Sequence, residues 1–567
     1  MTSRLKAAVD RALRSGFQIS PEALEYLEGQ RDPYAVLDSA LRAFESDAVP
    51  PLVIDRLHLE TVARLDVMEE NRGSSETSEQ RASEQGSGLG EKGTIRPTLP
   101  SSCRSSTSSA SSFRPSPPPP LSPVSCATLS SLATETLPGL SSRHLKAEAN
   151  AAGGEVRVVS GTEMVTIRGK AVDFRDYFRD RFSAISSILK SRADVNGASS
   201  ASNVPDGAKW HKVKVIGMVN SKREYRDGSV SVELEDTEGS VKVTFRGNDS
   251  LKRKASRLLV DEVVCIVGVT RDGRSVIAED VIWPDIPYMA KERKPGSPVG
   301  SSEHIYAVLT SDIHIGSKTF LKDDFERFLG WLRGESDDVK LKEMALRTKY
   351  LVIAGDLVDG VGIYPNQEEE LDIQDIYEQY RVAAEYLSTL PERIRIVIIP
   401  GNHDACRPTL PTPPIYSDYA APLYAMSNVL MLGDPSVVEL SGTTFLVTHG
   451  RSLDDVIPLL PDCNFREPQK AMVELLKSRH IAPVYGEKTP LAPEPKDRLV
   501  IDRVPDIFLA GHVHVEGVAD YRGVLVINSG TWQSQTKYQL SAGIVPKPSV
   551  VPVVDLNAMR AYELNFS

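Results

Sequence analysis

The 567-residue chain has little cysteine and places none of it in close pairs. Cys103, Cys126, Cys265, Cys406 and Cys463 are scattered without a CxxC spacing, so neither a zinc ribbon nor a disulfide framework is suggested, and a reducing compartment suits such usage. No run approaches the roughly 18 apolar residues that a membrane helix needs. The amino-terminal stretch MTSRLKAAVDRALRSG is amphipathic and lacks the apolar core of a signal peptide. These absences predict a cytoplasmic protein with no membrane partner. A surplus of positive charge is missing too: 66 Lys and Arg face 77 Asp and Glu, a net charge of −11. That balance argues against coating nucleic acid over the whole surface but leaves room for a local basic groove.

What is present falls into blocks, and the length allows about three to five domains of roughly 100–200 residues. Residues 1–70 carry apolar positions at helical spacing, among them Leu5, Val9, Leu13, Leu24, Leu27, Val36, Leu37 and Leu41, which predicts a small helical domain suited to docking a partner. Ser20-Pro21 has the form of an N-cap followed by a first-turn proline; further helices are expected at 33–46 and 51–65. From 71 to 150, 20 of 80 residues are serine, around the run PSPPPPLSP. Such a segment buries too little apolar surface to offset its ordering entropy, so a disordered linker is expected. A strand-helix connector over 151–205 follows, with strands at EVRVVSG and EMVTIRG, a helix over 173–191 and a short second linker, GASSASNVPDG.

Alternation with period two then runs through 206–290, in KVKVIGMV, SVSVELED, SVKVTFRG, EVVCIVGVTRDG and SVIAEDVIW. With turns at Asp227-Gly228 and Asp272-Gly273 and a helical insertion near 249–258, these five strands predict an OB-type β-barrel. Lys252, Arg253, Lys254 and Arg257 form a basic run on that insertion, which reads as a solvated face more readily than as a nucleic-acid contact. Trp210, Tyr225 and Phe245 are expected to pack in the core rather than stack on bases. Over 300–567, buried-strand runs end in polar motifs: YAVLTSDIH, KYLVIAGD, IRIVIIPGNHD, TTFLVTHG, IFLAGHVH and VLVINSGT. Helices are expected between them at 323–333, 374–388 and 468–480. The result is an α/β domain with two packed sheets or one doubly wound sheet, its functional residues lying just after strands. The predicted class is multidomain α+β.

Five of the ten histidines lie in these strand-end motifs: Asp312-x-His314, Gly355-Asp356-x-x-Asp359, Gly401-Asn402-His403-Asp404, His449-Gly450 and Gly511-His512-x-His514. A lone histidine after a strand is most often a capped or core residue, and a lone Gly-Asp is only a turn. The ordered series is far more specific and points to a metal site. Borderline divalent cations accept imidazole nitrogen and carboxylate oxygen together, so manganese is the first choice, with iron or zinc compatible. The donor count suits two divalent cations about 3.5–4 Å apart that share a carboxylate. The glycines before Asp356, Asn402 and His512 are expected to permit tight turns.

These motifs resemble the calcineurin-like metallophosphoesterase superfamily. The resemblance implies that Asp312, His314, Asp356 and His514 hold one cation and that Asp356, Asn402, His449 and His512 hold the other, with Asp356 as the bridge. It gives His403 the role of the non-ligand histidine that stabilises the transition state or protonates the leaving oxygen, and gives Asp359 the role of orienting it. Protein phosphatases of the superfamily usually read GDxxDRG and GNHE, whereas here Val361 follows Gly360 and Asp404 closes the GNHD motif; the departure weakens a phosphatase reading.

The order of blocks, and the stretches HGRSLDDVIP (449–458), AMVELLKSRHIAPVYG (471–486), LVIDRVPDIFLAGHVHVEG (499–517) and INSGTWQSQT (527–536), resemble the small subunits of archaeal family D DNA polymerases over about 170–567. That resemblance implies a C-terminal two-sheet calcineurin-like phosphoesterase domain and a metal-dependent 3′–5′ exonuclease that proofreads. The implied partners are a large catalytic polymerase subunit, in a heterodimer or higher assembly, a single strand or primer 3′ end as substrate, and a sliding clamp; the implied location is the cytoplasm at the nucleoid. The alternatives are a non-catalytic scaffold of the polymerase and a stand-alone metallophosphatase, the latter disfavoured because it has little use for a barrel. Arg451 could clamp a phosphate or pair with Asp454 or Asp455. His480 and Tyr485 are expected in core or partner-facing roles, and Cys406 and Cys463 are expected to be inert.

Overall fold

The runs YAVLT, KYLVIA and RIVII are apolar at nearly every position, the pattern of strands covered on both faces. They form Tyr306–Thr310, Thr348–Ala354 and Arg395–Ile399, which pair in parallel at the centre of a six-stranded mixed sheet. Val429–Met431 closes one edge, and the antiparallel pair Val550–Asp555 and Arg560–Asn565 closes the other. A second six-stranded sheet has Thr443–Val447, Ile507–Ala510 and Val524–Asn528 as its parallel centre, flanked by Ser436–Leu440 and Val156–Ser160 on one side and Gly517–Tyr521 on the other. The structure is a computed structural model and describes residues 155–163, 165–288, 304–541 and 543–567, with scattered positions between 18 and 54.

A shared apolar layer joins the sheets face to face: Leu309, Val352 and Val397 from the first meet Phe445, Val447, Leu509 and Ile527 from the second. The helices Lys322–Arg333 and Ile376–Ser388 cover the outer face of the first sheet through Phe325, Phe328, Leu332, Tyr380 and Leu387. Leu453–Leu459 and Pro468–Ser478 cover the second through Val456, Met472 and Leu476. Of the two arrangements expected, two packed sheets is therefore the one realised.

The connector is integrated into its neighbours. Val156–Ser160 is an edge strand of the second sheet, paired with Ser436–Leu440. The strand expected at EMVTIRG is absent among the described residues; this segment is held instead by side chains, with Thr162 Oγ1 donating to the Pro435 carbonyl at 3.1 Å and Arg407 donating to the Val165 carbonyl at 3.2 Å. The helix Ala171–Lys190 lies between the barrel and the two-sheet domain: Ile185 and Leu189 pack on Ile216, Met218 and Val263, while Tyr177 packs among residues of the second-sheet core. GASSASNVPDG is no free linker, since Ser199–Ser200 pairs with the barrel and the Ser202 amide donates to Asp236 at 2.7 Å.

The barrel has five strands, His211–Glu224, Val230–Glu235, Ser240–Phe245, Val263–Thr270 and Ser275–Ile282, and is closed by pairing of the first with the fourth. Asp249–Ser256 is the expected helical insertion. Phe245 is buried as expected, but Trp210 and Tyr225, at the two ends of the long first strand, are 56% and 41% exposed, against the expectation of core packing. The basic run is largely spent within the protein: Lys252 donates to the Asp227 carbonyl, Lys254 pairs with Asp280 at 2.6 Å, and Arg257 pairs with Asp462 and Glu474.

The chain divides into two compact units, Met1–Arg114 and Pro115–Ser567. In the first, Gln18–Ile19 pairs in parallel with Val53–Ile54, so the helix expected over 51–65 does not include those two β-branched positions. Ala23, Leu27 and Leu37 are buried. Residues 23, 26–27, 35–37 and 39 are helical, in line with the helix expected after Ser20-Pro21 and the one expected at 33–46; most other residues of 1–70, and the linker at 71–150, lie outside the described residues. Among the described residues no helix is long and apolar enough to cross a membrane.

One buried charge fixes the connector helix to the two-sheet domain. Arg181 and Asp497 pair at 2.8 Å with both side chains fully buried, and Asp497 also accepts from Tyr177 and His480, each at 2.9 Å. Burial opposes the charge on Asp497, but His480 and Arg181 overcome it and hold the carboxyl well below the usual carboxylate range. A carboxylate depressed in the folded state contributes stability above its ordinary pKa and loses it as the pH falls below. Arg181→Met is expected to cost about 3–5 kcal/mol by leaving the buried carboxylate without its guanidinium, measured as the shift in urea midpoint at pH 7, with a smaller difference from the parent at acid pH. An unchanged midpoint would mean that the pair does not hold the helix.

Candidate metal centre

Each of the seven expected donors follows a strand, and the two sheets contribute to one place. Asp312, His314, Asp356 and Asn402 come from the first sheet; His449, His512 and His514 come from the second. The loops are fastened to one another through the main chain: the Asp312 amide donates to the Gly355 carbonyl at 3.0 Å, and those of Ile313 and His314 donate to the Asp356 carbonyl at 2.8 and 3.1 Å. Gly511 donates to the His449 carbonyl at 2.8 Å, which ties two loops of the second sheet. Asp312, His314, Asp356, His512 and His514 all sit at left-handed φ, between 50° and 70°. Each such residue costs on the order of 1 kcal/mol or more and persists only where its surroundings over-determine it; five of them in one site mark a place where geometry is held for chemistry.

Two groups of donors result. Asp312, His314 and His514 present ligand atoms within 4.8 Å of one another, and so do Asp356, His449 and His512. In the first group, His314 Nδ1 is committed to Asp359 Oδ1 at 2.9 Å, which turns Nε2 toward His514 Nε2 at 3.1 Å. Asp312 Oδ1 lies 3.3 Å from His514 Nε2 and is buried without a hydrogen-bond partner. In the second, His449 Nδ1 is paired with the Ala354 carbonyl at 2.9 Å, and Nε2 faces Asn402 Oδ1 at 3.1 Å and Asp356 Oδ2 at 3.3 Å. In each group, imidazole nitrogens and carboxylate or amide oxygens converge on one point. This donor set fits a divalent cation in each position, with nitrogen and oxygen ligands mixed. Asp356 is near both groups, its Oδ2 lying 3.9 Å from His314 Nε2.

The electrostatics agree. Burial alone would lower the His449 imidazole, but Asp356 and Asp312 overcome it and push it up to about 10. His314 rises against burial to about 8, through Asp359 and Asp356. Burial disfavours charge on Asp356, yet His449, His403 and His314 hold its carboxyl well below the usual range. Protons thus collect where cations would compensate the same carboxylates, so cation binding should release protons.

The structure places His403 beside the first group, its ring 4.8 Å from that of His314 and nearly perpendicular to it. Its amide donates to Asp356 Oδ1 at 2.8 Å. Asp359 reaches it through the main chain: the carbonyl of Asp359 meets His403 Nδ1 at 2.8 Å, while the carboxylate serves His314 and is 4.0 Å from His403. His403 also groups with His314 and Asp356 as a possible donor set. Burial lowers its pKa.

Several supporting residues escaped the sequence reading. Gln367 donates to both the carbonyl and the carboxylate of Asp359, and Gln533 reaches the same carboxylate at 3.3 Å. Gln539 lies against His514 Nδ1 at 2.8 Å, and Asp454 lies 3.3 Å from His512. Glutamines carry no metal-ligand signature, so only Asp454, in the stretch HGRSLDD, had a signal to offer. Asp404, buried between the Gly401 amide and the Tyr380 hydroxyl, is pushed up to about 6 by burial and by Asp356. Arg451 donates to the Pro408 carbonyl at 2.6 Å, not to Asp455, which caps the Lys488 and Thr489 amides. His480 is a core residue, bound to Asp497; Tyr485 is 42% exposed and packs on Phe174 and Phe178. Burial raises both the Cys406 and the Cys463 thiols, which keeps them protonated.

The glycines act partly otherwise than expected. Gly355 has φ +93°, as a tight turn requires. Gly401 does not; a Cβ there would lie 2.1 Å from Asp356 Oδ1 and 2.4 Å from the Asp356 amide nitrogen, so its role is close approach. Gly401→Ala must displace Asp356 and is expected to destabilise the fold by about 1–3 kcal/mol and to weaken Mn²⁺ binding in calorimetry at least tenfold. Wild-type affinity in this variant would show that Asp356 does not need its observed position.

The family of DNA polymerase alpha/epsilon B subunits matches residues 307–517. The DNA polymerase II small subunit of Pyrococcus horikoshii is 42% identical over 395 residues, 70% of this chain and 62% of that protein. That of Archaeoglobus fulgidus is 41% identical over 386 residues, 68% of this chain and 75% of its own length, and that of Methanothermobacter thermautotrophicus is 40% identical over 398 residues, 70% and 80%. The chain thus spans under two thirds of the length of the Pyrococcus relatives it matches. At 40–41% identity over 75–80% of these two relatives' length, the chain belongs to the family of archaeal DNA polymerase II small subunits.

Proposed function

We propose that this chain is a 3′–5′ exonuclease that hydrolyses DNA phosphodiesters with two divalent cations, preferring manganese with iron or zinc compatible, and that it proofreads within a polymerase whose large subunit carries nucleotidyl transfer. In the same reading, 206–290 is an OB-type barrel and 300–567 a calcineurin-like phosphoesterase domain, supported by the closed five-stranded barrel and the two facing mixed sheets. The observation that carries the proposal is the meeting of two donor groups around Asp356. Asp312, His314, Asp356 and His514 would hold one cation, and Asp356, Asn402, His449 and His512 the other. Bound there, the pair supplies Lewis acidity to water and phosphate and offsets charge that builds on phosphorus.

The chain's own groups do the rest. Water, giving up one proton to solvent, adds to phosphorus in line with the departing O3′, the P–O3′ bond breaks, and that oxygen takes the proton held on His403, which solvent then restores. His403 Nδ1 is occupied by the Asp359 carbonyl, so Nε2 is the atom that holds the proton for the leaving oxygen. Asp359, fixed by Gln367 and Gln533, keeps His314 aimed at the cation with its carboxylate and His403 aimed at the substrate with its carbonyl.

The test is shortening of an end-labelled strand and of a 3′-mismatched primer in Mn²⁺, with and without the large subunit. His403→Ala is expected to slow stepwise 3′ removal by about 10²–10⁴ while Mn²⁺ binding persists. Equal mismatch removal by the variant and wild-type complexes would sink the nuclease reading and leave a scaffold subunit.

A further inference from the structure

The loop that follows Asp359 exposes three apolar side chains beside His403. Val361, Ile363 and Tyr364 are 38–40% exposed, and the Tyr364 ring centroid stands 6.4 Å from that of His403. Exposed aliphatic and aromatic groups on a polar loop gain nothing by themselves, yet this loop is held rigidly. Gly360 exchanges two hydrogen bonds with the fully buried Gln379, at 2.9 and 3.1 Å. Gly360 also sits at φ +73°, and a Cβ there would meet the His403 carbonyl at 2.3 Å. Buried Gln367 accepts from the Ile363 amide at 2.8 Å while donating to Asp359, so one side chain fixes both the loop and the site. The Tyr364 hydroxyl donates to Glu370 at 3.2 Å, which sets the plane of the ring.

We infer that Tyr364, flanked by Ile363, is a stacking platform for the nucleobase next to the scissile phosphate, on the side of the leaving oxygen. The inference rests on the nuclease reading and deepens it by naming how the strand is seated. A nucleotide places its base one sugar away from its phosphate; with the leaving oxygen at His403, the base carried by the same sugar comes over the adjoining loop. In 3′–5′ cleavage that is the penultimate base. An aromatic face accepts any base and is sequence-tolerant, as removal of any 3′ nucleotide demands. Tyr364 is a positioning residue: it acts on the strand, not on phosphorus.

The test uses the full chain and a single strand with 2-aminopurine at the penultimate position, first in EDTA so that the strand stays intact. Stacking quenches the probe. Tyr364→Ala is expected to abolish the quench and Tyr364→Phe to keep it; a quench that is absent in wild type or unchanged in Tyr364→Ala overturns the inference. In Mn²⁺, an abasic penultimate residue is expected to slow wild type about tenfold, whereas Tyr364→Ala is equally slow on intact and abasic strands. The same abasic penalty in wild type and Tyr364→Ala overturns it as well. Absence of cleavage by wild type defeats the nuclease reading alone, since loss of the quench in Tyr364→Ala still supports the platform.

Discussion

Everything at the site depends on the carboxylate of Asp356. Its loop leaves the first sheet, its Oδ2 meets His449 from the second at 3.3 Å, its Oδ1 takes the His403 amide, and its carbonyl takes two amides from the Asp312–His314 loop. One residue thereby ties loops of both sheets at the point where the donors meet, adding direction to the apolar contact between the sheets, which is strong but has none, and it is joined there by cross-sheet bonds such as His449 Nδ1 to the Ala354 carbonyl and the His512 amide to Asp312, each at 2.9 Å. The residues around it are constrained accordingly, Gly401 most of all, because no larger residue fits against that carboxylate.

The remaining architecture holds this arrangement still. Trp532, buried between Phe325 and Phe328, donates its indole N–H to Thr310 at 2.8 Å and its amide to the Asp312 carbonyl at 2.9 Å, so the apolar cover of the first sheet reaches directly into a donor loop. Ser529, Thr531 and Gln533 in the same stretch touch Ser311, Asp312 and Asp359. Left-handed backbone at five site residues is tolerated because bonds of this kind fix the loops from several sides. A cation centre gains from such rigidity, since its donors must stay turned toward one point before any cation arrives.

Much of this was legible in the sequence, for identifiable reasons. Strands covered on both faces are continuous apolar runs, and the runs leading into Asp312, Asp356, Asn402, His449 and His512 announce both the sheets and the candidate donors that the structure brings together at their ends. Period-two alternation likewise revealed the barrel. What remained hidden depends on long-range partners. Val156–Ser160 becomes an edge strand of a sheet whose next strand lies more than 270 residues away, and the Arg181–Asp497 pair joins positions 316 residues apart. Trp210 and Tyr225 looked like core residues because composition does not reveal that they end a strand rather than fill its middle. The role of Asp359 was half visible: the resemblance implied that it orients His403, while the division of labour, carboxylate to His314 and carbonyl to His403, depends on loop geometry that the sequence does not carry.

The central claim is that two cations share Asp356, and electron paramagnetic resonance of the Mn²⁺-loaded chain tests it most directly. Two manganese ions bridged by one carboxylate give an exchange-coupled dinuclear signal at a stoichiometry of two per chain, and Asp356→Asn removes the coupling. Isolated mononuclear signals in wild type, or a coupled signal that survives in Asp356→Asn, would contradict the account.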